Sequence, residues 1–231
     1  MLDVRDLGYR YPDGTTALAG ISLRVAAGER VAILGANGAG KSTLLLHLNG
    51  LLTGSGSVSV DGVRLAAATV AGIRQRVGFV FQDPDDQLFC ASVGEDVAFA
   101  PRQARLPEAE VQSRTAEALA TMGISELAHR HPHQLSLGQK KRAAIATVLA
   151  MRPAVLVLDE PSASLDPRMR RELIGCLAGL SCTLVVASHD LALVHALCPR
   201  AVILDAGSIV ADGPTRDLLA DAALLARTGL A

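Results

Sequence analysis

The segment GANGAGKST at 35–43 constrains this chain more than any other stretch, because the apolar run VAIL leads into it and STLLLHLNG leads out. Strand, glycine loop and helix in that order satisfy the pattern GxxxxGK[ST] together with the context its mechanics demand. Gly35, Ala36, Asn37, Gly38, Ala39 and Gly40 can turn successive N–H groups toward phosphate oxygens, since glycine relieves the Cβ clashes of so tight a curl. The helix starting at Lys41, Ser42 and Thr43 adds the positive partial charge of its N-terminus, and Gly50 is its natural stop. Lys41 is placed to reach the β- and γ-phosphates of a nucleoside triphosphate, and Ser42 to ligate Mg²⁺.

Further strand ends carry matching chemistry. AVLVLDE at 154–160 reads as a buried strand ending in two carboxylates, where a doubly wound sheet presents its ligands. Asp159 is expected to hold the metal shell and Glu160 to polarise the attacking water as general base. His189 follows the strand TLVVAS, where an imidazole can bond the γ-phosphate and sense its loss. Gln82, after VGFVF, fits a γ-phosphate or metal-water contact. LSLGQKKR at 135–142 opens a helix at which Ser136 and the amides around Gly138 offer a second anion site. Taken alone, that segment reads as a capped helix followed by a solvated basic turn.

The intervening segments describe an α/β domain with an insertion. Residues 1–35 read as short strands (LDVRDL, ISLRV, AAGE, VAIL) broken at YPDG, and 56–81 as GSVSV, DGVRL and RVGFVF. From about 85 to 151 the pattern is helical, opening on Ser92 and Glu95 at capping-box spacing, with helices expected at about 107–122 and 137–151. Afterwards AVLVLD, TLVVAS, AVILD and SIVADG alternate with the helical runs PRMRRELIGCLAG and DLALVHALC. Continuous apolar strands between amphipathic helices imply a parallel sheet covered on both faces. The expected division is an α/β core with a β subdomain at 1–84 and 152–231, and a helical subdomain at 85–151.

Composition narrows the function classes. Half the residues are apolar, 3% are aromatic and none is Trp, so the core must be aliphatic and disorder is excluded. The 22 basic residues against 23 acidic ones leave a net charge of −1, without the global basic field of a nucleic-acid binder. No nucleic-acid partner is expected, and any polyanion must be gripped locally. Of those 22 basic residues 19 are Arg; the three Lys, at 41, 140 and 141, mark positions where a compact ammonium is expected to matter. Cys90, Cys176, Cys182 and Cys198 form no CxxC and read as reduced, buried thiols. The longest apolar run is five residues, far below the ~20 that cross a bilayer, and MLDVRDLGYR lacks the apolar core of a secretory signal. The chain is therefore expected to stay in the cytoplasm.

GANGAGKS, FQDPDDQ, LSLGQ, AVLVLDEPSASLD and SHD, in this order and spread over essentially the whole chain, resemble the nucleotide-binding domains of ATP-binding-cassette (ABC) proteins. The resemblance implies a P-loop NTPase of the α/β class: a RecA-like parallel sheet core, an N-terminal antiparallel β subdomain and an inserted α-helical subdomain. It implies ATP hydrolysis with Mg²⁺, by a head-to-tail dimer in which ATP on one subunit's glycine loop is completed by LSLGQ from the other. Ser136, Gly138 and Gln139 would then act across the interface, while Ser164, Leu165 and Asp166 couple the two sites. Glu160, His189 and Gln82 form the implied catalytic set, and Ser42, Gln82 and Asp159 the metal set. Tyr11, just before PDG, matches the aromatic that stacks on adenine, with Tyr9 a neighbouring candidate. Because Glu160 and His189 are both present, a homodimer suffices; a heterodimer with a second ABC ATPase stays open.

Within that family, FQDPDDQLF, EDVAFAP and LSLGQKKRAAIATVLAM are similar to the ATPases of energy-coupling-factor importers, with the cobalt and nickel branch nearest. This implies a peripheral subunit on the cytoplasmic face of the membrane. An integral membrane coupling subunit would meet it near Gln82–Gln87, beside Asp83, Asp85 and Asp86, and a separate substrate-binding membrane subunit would hold the cargo. Leu137 stands where many members carry Gly. The alternatives are a vitamin-type energy-coupling-factor ATPase and a non-transport ABC ATPase such as an iron–sulfur assembly factor. A small-molecule kinase would need an acceptor pocket and a lid, whereas Glu160 is placed to activate water. His129, His131 and His133 spell H-x-H-x-H, which suits a metal only if Pro132 lets the three rings converge. An approach loop with solvated imidazoles explains the same residues.

Overall fold

In the computed structural model, which describes residues 1–230, the chain opens with two antiparallel strands, β1 (Leu2–Arg10) and β2 (Thr16–Val25), joined at YPDG. Strand β3 (Arg30–Leu34) empties through the glycine loop into helix α1 (Lys41–Leu48). Strands β4 (Ser55–Val60) and β5 (Val63–Arg64) and helix α2 (Val70–Arg76) lead to β6 (Val77–Val80). The helical stretch holds α3 (Val93–Gln103), α4 (Glu108–Thr121) and α5 (Leu137–Leu149), with short 3-10 turns before and between them. Strands and helices then alternate as β7 (Val155–Asp159), α6 (Pro167–Ala178), β8 (Thr183–Ala187), α7 (Leu191–Leu197) and β9 (Arg200–Asp205). β10 (Ser208–Pro214), α8 (Thr215–Ala220) and α9 (Ala222–Arg227) close the described chain.

The larger sheet has the order β10-β9-β3-β8-β7-β6, with every pairing parallel except that of β10 with β9. Its inner strands are the apolar runs of the sequence, and successive side chains of a strand point to opposite faces. Val155 and Val157 of β7 therefore pack with α1 and the β1-β2 side, in one apolar cluster with Val31, Ile33, Leu44 and Leu48. Leu156 and Leu158 face the other way, in a second cluster with Val97, Leu119 and Ile145 from α3, α4 and α5. The smaller sheet, β2-β1-β4-β5, is antiparallel. Both sides of the larger sheet are thus covered, and the carboxyl ends of its parallel strands converge on the glycine loop. The four cysteines are free thiols, and burial pushes that of Cys198 up to about 12.

Several local expectations need correction. AAGE is a turn: Glu29 returns its N–H to the Ala26 carbonyl at 3.3 Å while its carboxylate accepts the Ala26 N–H at 2.7 Å. The stretch 56–81, read as short strands, contains α2; only Ile73 of that helix is buried, so no apolar stripe announces it. The two C-terminal helices, six residues each, are likewise too short for a period to show. Ser92 caps α3 by accepting the Glu95 N–H at 3.3 Å, without the reciprocal bond of a capping box. The neighbouring Asp96 turns inward and accepts the N–H groups of Phe89 and Cys90 at 3.0 and 2.9 Å.

Candidate nucleotide-binding site

Two glycines set the shape of the loop. Gly40 has φ +103°, and a Cβ there would stand 2.5 Å from the Ala17 carbonyl oxygen. A Cβ on Gly35 would stand 2.5 Å from the Leu204 carbonyl oxygen, so any side chain at either position drives the loop off β2 or β9. Lys41 is buried, and its ammonium donates to the Gly35 and Ala36 carbonyls at 2.8 and 3.1 Å, bracing the curl from inside. The Tyr11 hydroxyl lies 2.9 Å from the Thr43 hydroxyl, which holds that ring at the pocket rim. Tyr9 sits behind it, edge-on to both Tyr11 and His47 at centroid distances of 5.0 and 4.9 Å.

The pocket above the loop has a volume of about 550 Å³ and is framed by Gly38, Lys41 and Ser42 on one side and by Gln82, Glu160 and His189 on the other. Residues 35–43, 82, 160 and 189, far apart in the chain, meet because β3, β6, β7 and β8 end on the same edge. The Glu160 carboxylate is buried, 2.9 Å from His189 Nδ1 through Oε2 and 4.0 Å from Lys41 Nζ through Oε1. The His189 N–H also donates to Oε2 at 3.3 Å, while the imidazole itself is 62% exposed. Glu160 has φ +44°, a left-handed backbone that costs a non-glycine residue roughly 1–3 kcal/mol and persists only where its surroundings hold it. Its own N–H is tied to the Ala187 carbonyl of β8 at 2.9 Å.

Asp159 is the group best fitted to a cation. Its Oδ1 is buried with no hydrogen-bond partner, a position that leaves a carboxylate oxygen poorly solvated. Burial pushes its carboxyl above the usual range; a hydrogen bond from the Ser42 hydroxyl opposes that shift, and the Glu160 charge adds to it. The Ser42 side chain, bonded to Asp159, lines this pocket, and Gln82 faces both it and the neighbouring cavity that Asp159 lines.

Ser136, Gly138, Gln139 and Asp166 do not line this pocket. Ser136 and Gln139 close a reciprocal cap at the start of α5, the side-chain amide accepting the Ser136 N–H at 2.9 Å. Gly138 packs on Met169, whose sulfur would lie 2.8 Å from an added Cβ. Asp166 caps α6 by accepting the N–H groups of Arg168 and Met169, each at 2.8 Å. The three histidines do not converge: His131 accepts the His133 N–H through Nδ1 and stacks on its ring. Among the described residues no group of three or more His, Cys, Asp or Glu side chains is arranged to hold a metal.

Sequence reasoning missed Thr15, Thr16 and Ala17, which the β1-β2 turn carries onto the rim. Nothing in so ordinary a strand start signals that position. It also left Lys141 without a partner, although the scarcity of Lys had singled it out. That side chain is 5% exposed, and its ammonium donates to the carbonyls of Gln82 and Glu160 at 3.2 and 3.0 Å.

Comparison with known proteins agrees with this geometry. The profile of the ABC transporter family matches residues 18–163. An energy-coupling factor transporter ATP-binding protein, EcfA of Methanothermobacter thermautotrophicus, is 48% identical over the whole of this chain and 76% of its own length. The solved structure of CbiO1 from Clostridium perfringens, part of an ABC transporter complex cbiONQ, superposes with a TM-score of 0.87 at 41% identity, covering 99% of this chain and 94% of that one. The ATP-binding cassette MJ0796, solved as a dimer in a post-hydrolysis state with ADP and Pi, gives a TM-score of 0.84 at 28% identity, covering 94% and 99%. With its glycine loop, paired carboxylates and His189 gathered on one sheet edge, this chain belongs to the ABC transporter family, as an ATP-binding ATPase of the energy-coupling-factor type.

Proposed function

We propose that this chain drives an energy-coupling-factor importer for cobalt or nickel ions, working as one of two cassettes that enclose ATP between them. The observation that carries the hydrolytic part is the Glu160 carboxylate, buried at the mouth of the glycine loop between His189 Nδ1 at 2.9 Å and Lys41 Nζ at 4.0 Å. A water between that carboxylate and the γ-phosphorus gives its proton to Glu160 as its oxygen attacks, and the bond to the β,γ-bridging oxygen breaks toward ADP. Lys41 and the loop amides hold the phosphate oxygens in line. His189, bonded to Glu160, orients that carboxylate and contacts the γ-phosphate. Ser42, Asp159 and Gln82 would hold Mg²⁺, which when bound neutralises charge across the phosphates.

The dimeric part rests on the capped start of α5 lying outside its own pocket, and on the dimeric cassette MJ0796. Ser136, Gly138 and Gln139 would then meet ATP held by the other copy, with Asp166 beside the second site. Two identical copies suffice, because each carries Glu160 and His189. Ser136→Arg is expected to leave ATP binding by the monomer within about twofold while abolishing the ATP-dependent dimer, since a long cation would fill the space of the γ-phosphate. Size-exclusion chromatography with light scattering, in the Glu160→Gln background, reads this directly; a dimer of wild-type strength would refute the assignment.

For the membrane partner, the supporting feature is an apolar groove beside Gln82–Gln87, where Phe89 is 66% and Phe99 40% exposed next to Leu51 and Gln87. Exposed aromatics of this size mark an interaction surface, and Asp83 and Asp86 line the neighbouring cavity around Gln82. No described helix is long and apolar enough to cross a membrane, consistent with a peripheral subunit on the cytoplasmic face that reaches cargo only through an integral coupling subunit and a substrate-binding membrane subunit. Copurification from detergent, joined to uptake of labelled cobalt and nickel in cells with and without the gene, tests the reading. Bound integral partners and lost metal uptake support it. A protein that washes from membranes without an integral partner overturns transport, and loss of vitamin uptake with metal uptake intact overturns the cargo.

A further inference from the structure

Lys141 is a buried ammonium, 5% exposed, with no carboxylate within ion-pair distance among the described residues. Buried lysines ordinarily pair with an acid. This one donates instead to two main-chain carbonyls, those of Gln82 at 3.2 Å and Glu160 at 3.0 Å. Those carbonyls belong to the loops that leave β6 and β7, so a single charge joins the Gln82 loop to the left-handed peptide at Glu160 (φ +44°). Burial lowers the ammonium's pKa, while the charges of Glu160, Asp83 and Asp159 oppose that effect. The preceding residue repeats the connection outside: Lys140 donates to both carboxylate oxygens of Asp85, at 2.6 and 2.9 Å. Both lysines stand on α5, the helix that Ser136 caps.

We propose that Lys141 is a positioning residue, a pin through which helix α5 and the Gln82 loop set the orientation of the Glu160 carboxylate. The proposal rests on the reading of Glu160 as general base and adds to it the part that aims the base. The physical reason is local. Glu160 sits in a strained backbone conformation tied at its N–H by Ala187 and at its carbonyl by Lys141, so losing one tie frees the peptide to rotate and swings the carboxylate off the water. A displacement on the order of 1 Å at a reacting group costs about 10²-fold in rate.

The test is Lys141→Met, which keeps the length and apolar stem and removes the donors, made alone and with Glu160→Gln. The expected result is a folded protein by thermal melting, with nucleotide affinity and KM within about threefold of wild type and kcat lowered roughly 10- to 100-fold. In the Glu160→Gln background the same substitution is expected to change residual turnover by less than about threefold, because the carboxylate it aims is already gone. A wild-type kcat, a parallel loss of affinity, or a full multiplicative loss on top of Glu160→Gln each overturns the proposal. Should the methionine variant fail to fold, Lys141→Leu, which likewise lacks the donors, is judged on the same criteria. Slow Glu160→Gln with fast Lys141→Met overturns the pin alone, whereas Glu160→Gln at wild-type rate removes the base and the pin together.

Discussion

Glu160→Gln is expected to lower kcat for ATP hydrolysis by about 10²- to 10⁴-fold, the range that loss of a positioned general base produces. The amide is nearly isosteric and still accepts the His189 N–H that now reaches Oε2 at 3.3 Å, so the fold and the pocket stay intact. It cannot take a proton from water. Nucleotide affinity is expected to hold or rise, because one negative charge 4.0 Å from Lys41 is removed from a site that receives a polyanion. Steady-state release of phosphate, together with equilibrium binding of ATP, separates the two effects. The same variant should accumulate an ATP-bound dimer, visible by light scattering. Phosphate release at the wild-type rate would show that another group activates the water.

Lys41→Ala acts one step earlier, on binding. The ammonium is buried and braces the Gly35 and Ala36 carbonyls at 2.8 and 3.1 Å, and it is the cation that enters the loop from α1. Charge-assisted hydrogen bonds of this kind contribute about 1.5–3 kcal/mol, so the dissociation constant for ATP should rise roughly 10- to 150-fold. The variant also leaves the Glu160 and Asp159 carboxylates without their nearest cation on the loop side. Its melting temperature without nucleotide should therefore fall with rising pH through the carboxylate range more steeply than that of the wild type. The sign follows from the charges: burial already holds the Asp159 carboxyl above the usual range, and losing the Lys41 charge that opposes this raises it further, so its deprotonation at higher pH is what becomes unfavourable. Titration calorimetry gives the affinity, and unchanged ATP binding would remove Lys41 from the phosphate site.

These outcomes turn on residues of two kinds. The glycine loop was legible from the chain alone because its parts are contiguous: GANGAGKST carries its own strand, turn and helix start, and the φ of +103° at Gly40 is a property that only glycine supplies at ease. The two acids of AVLVLDE were legible for a related reason, since they directly follow a contiguous apolar strand run. The inner strands of the larger sheet followed from the same apolar runs. Helix α2 did not, because it buries only Ile73, and neither did the turn at AAGE, where a glutamate side chain satisfies a backbone donor in place of a sheet partner.

What the amino-acid order determined by itself is therefore the set of groups that can touch a nucleotide, since motif chemistry is local and a few neighbouring residues suffice to write it. The distances among those groups were decided by the tertiary structure. Glu160 reaches His189 because β7 and β8 pair in parallel with Asp159 opposite Ala187, and Lys141 reaches both Gln82 and Glu160 because α5 packs across the ends of β6 and β7. Such contacts depend on packing between segments about 20 to 60 residues apart, a non-local energy that no short pattern encodes.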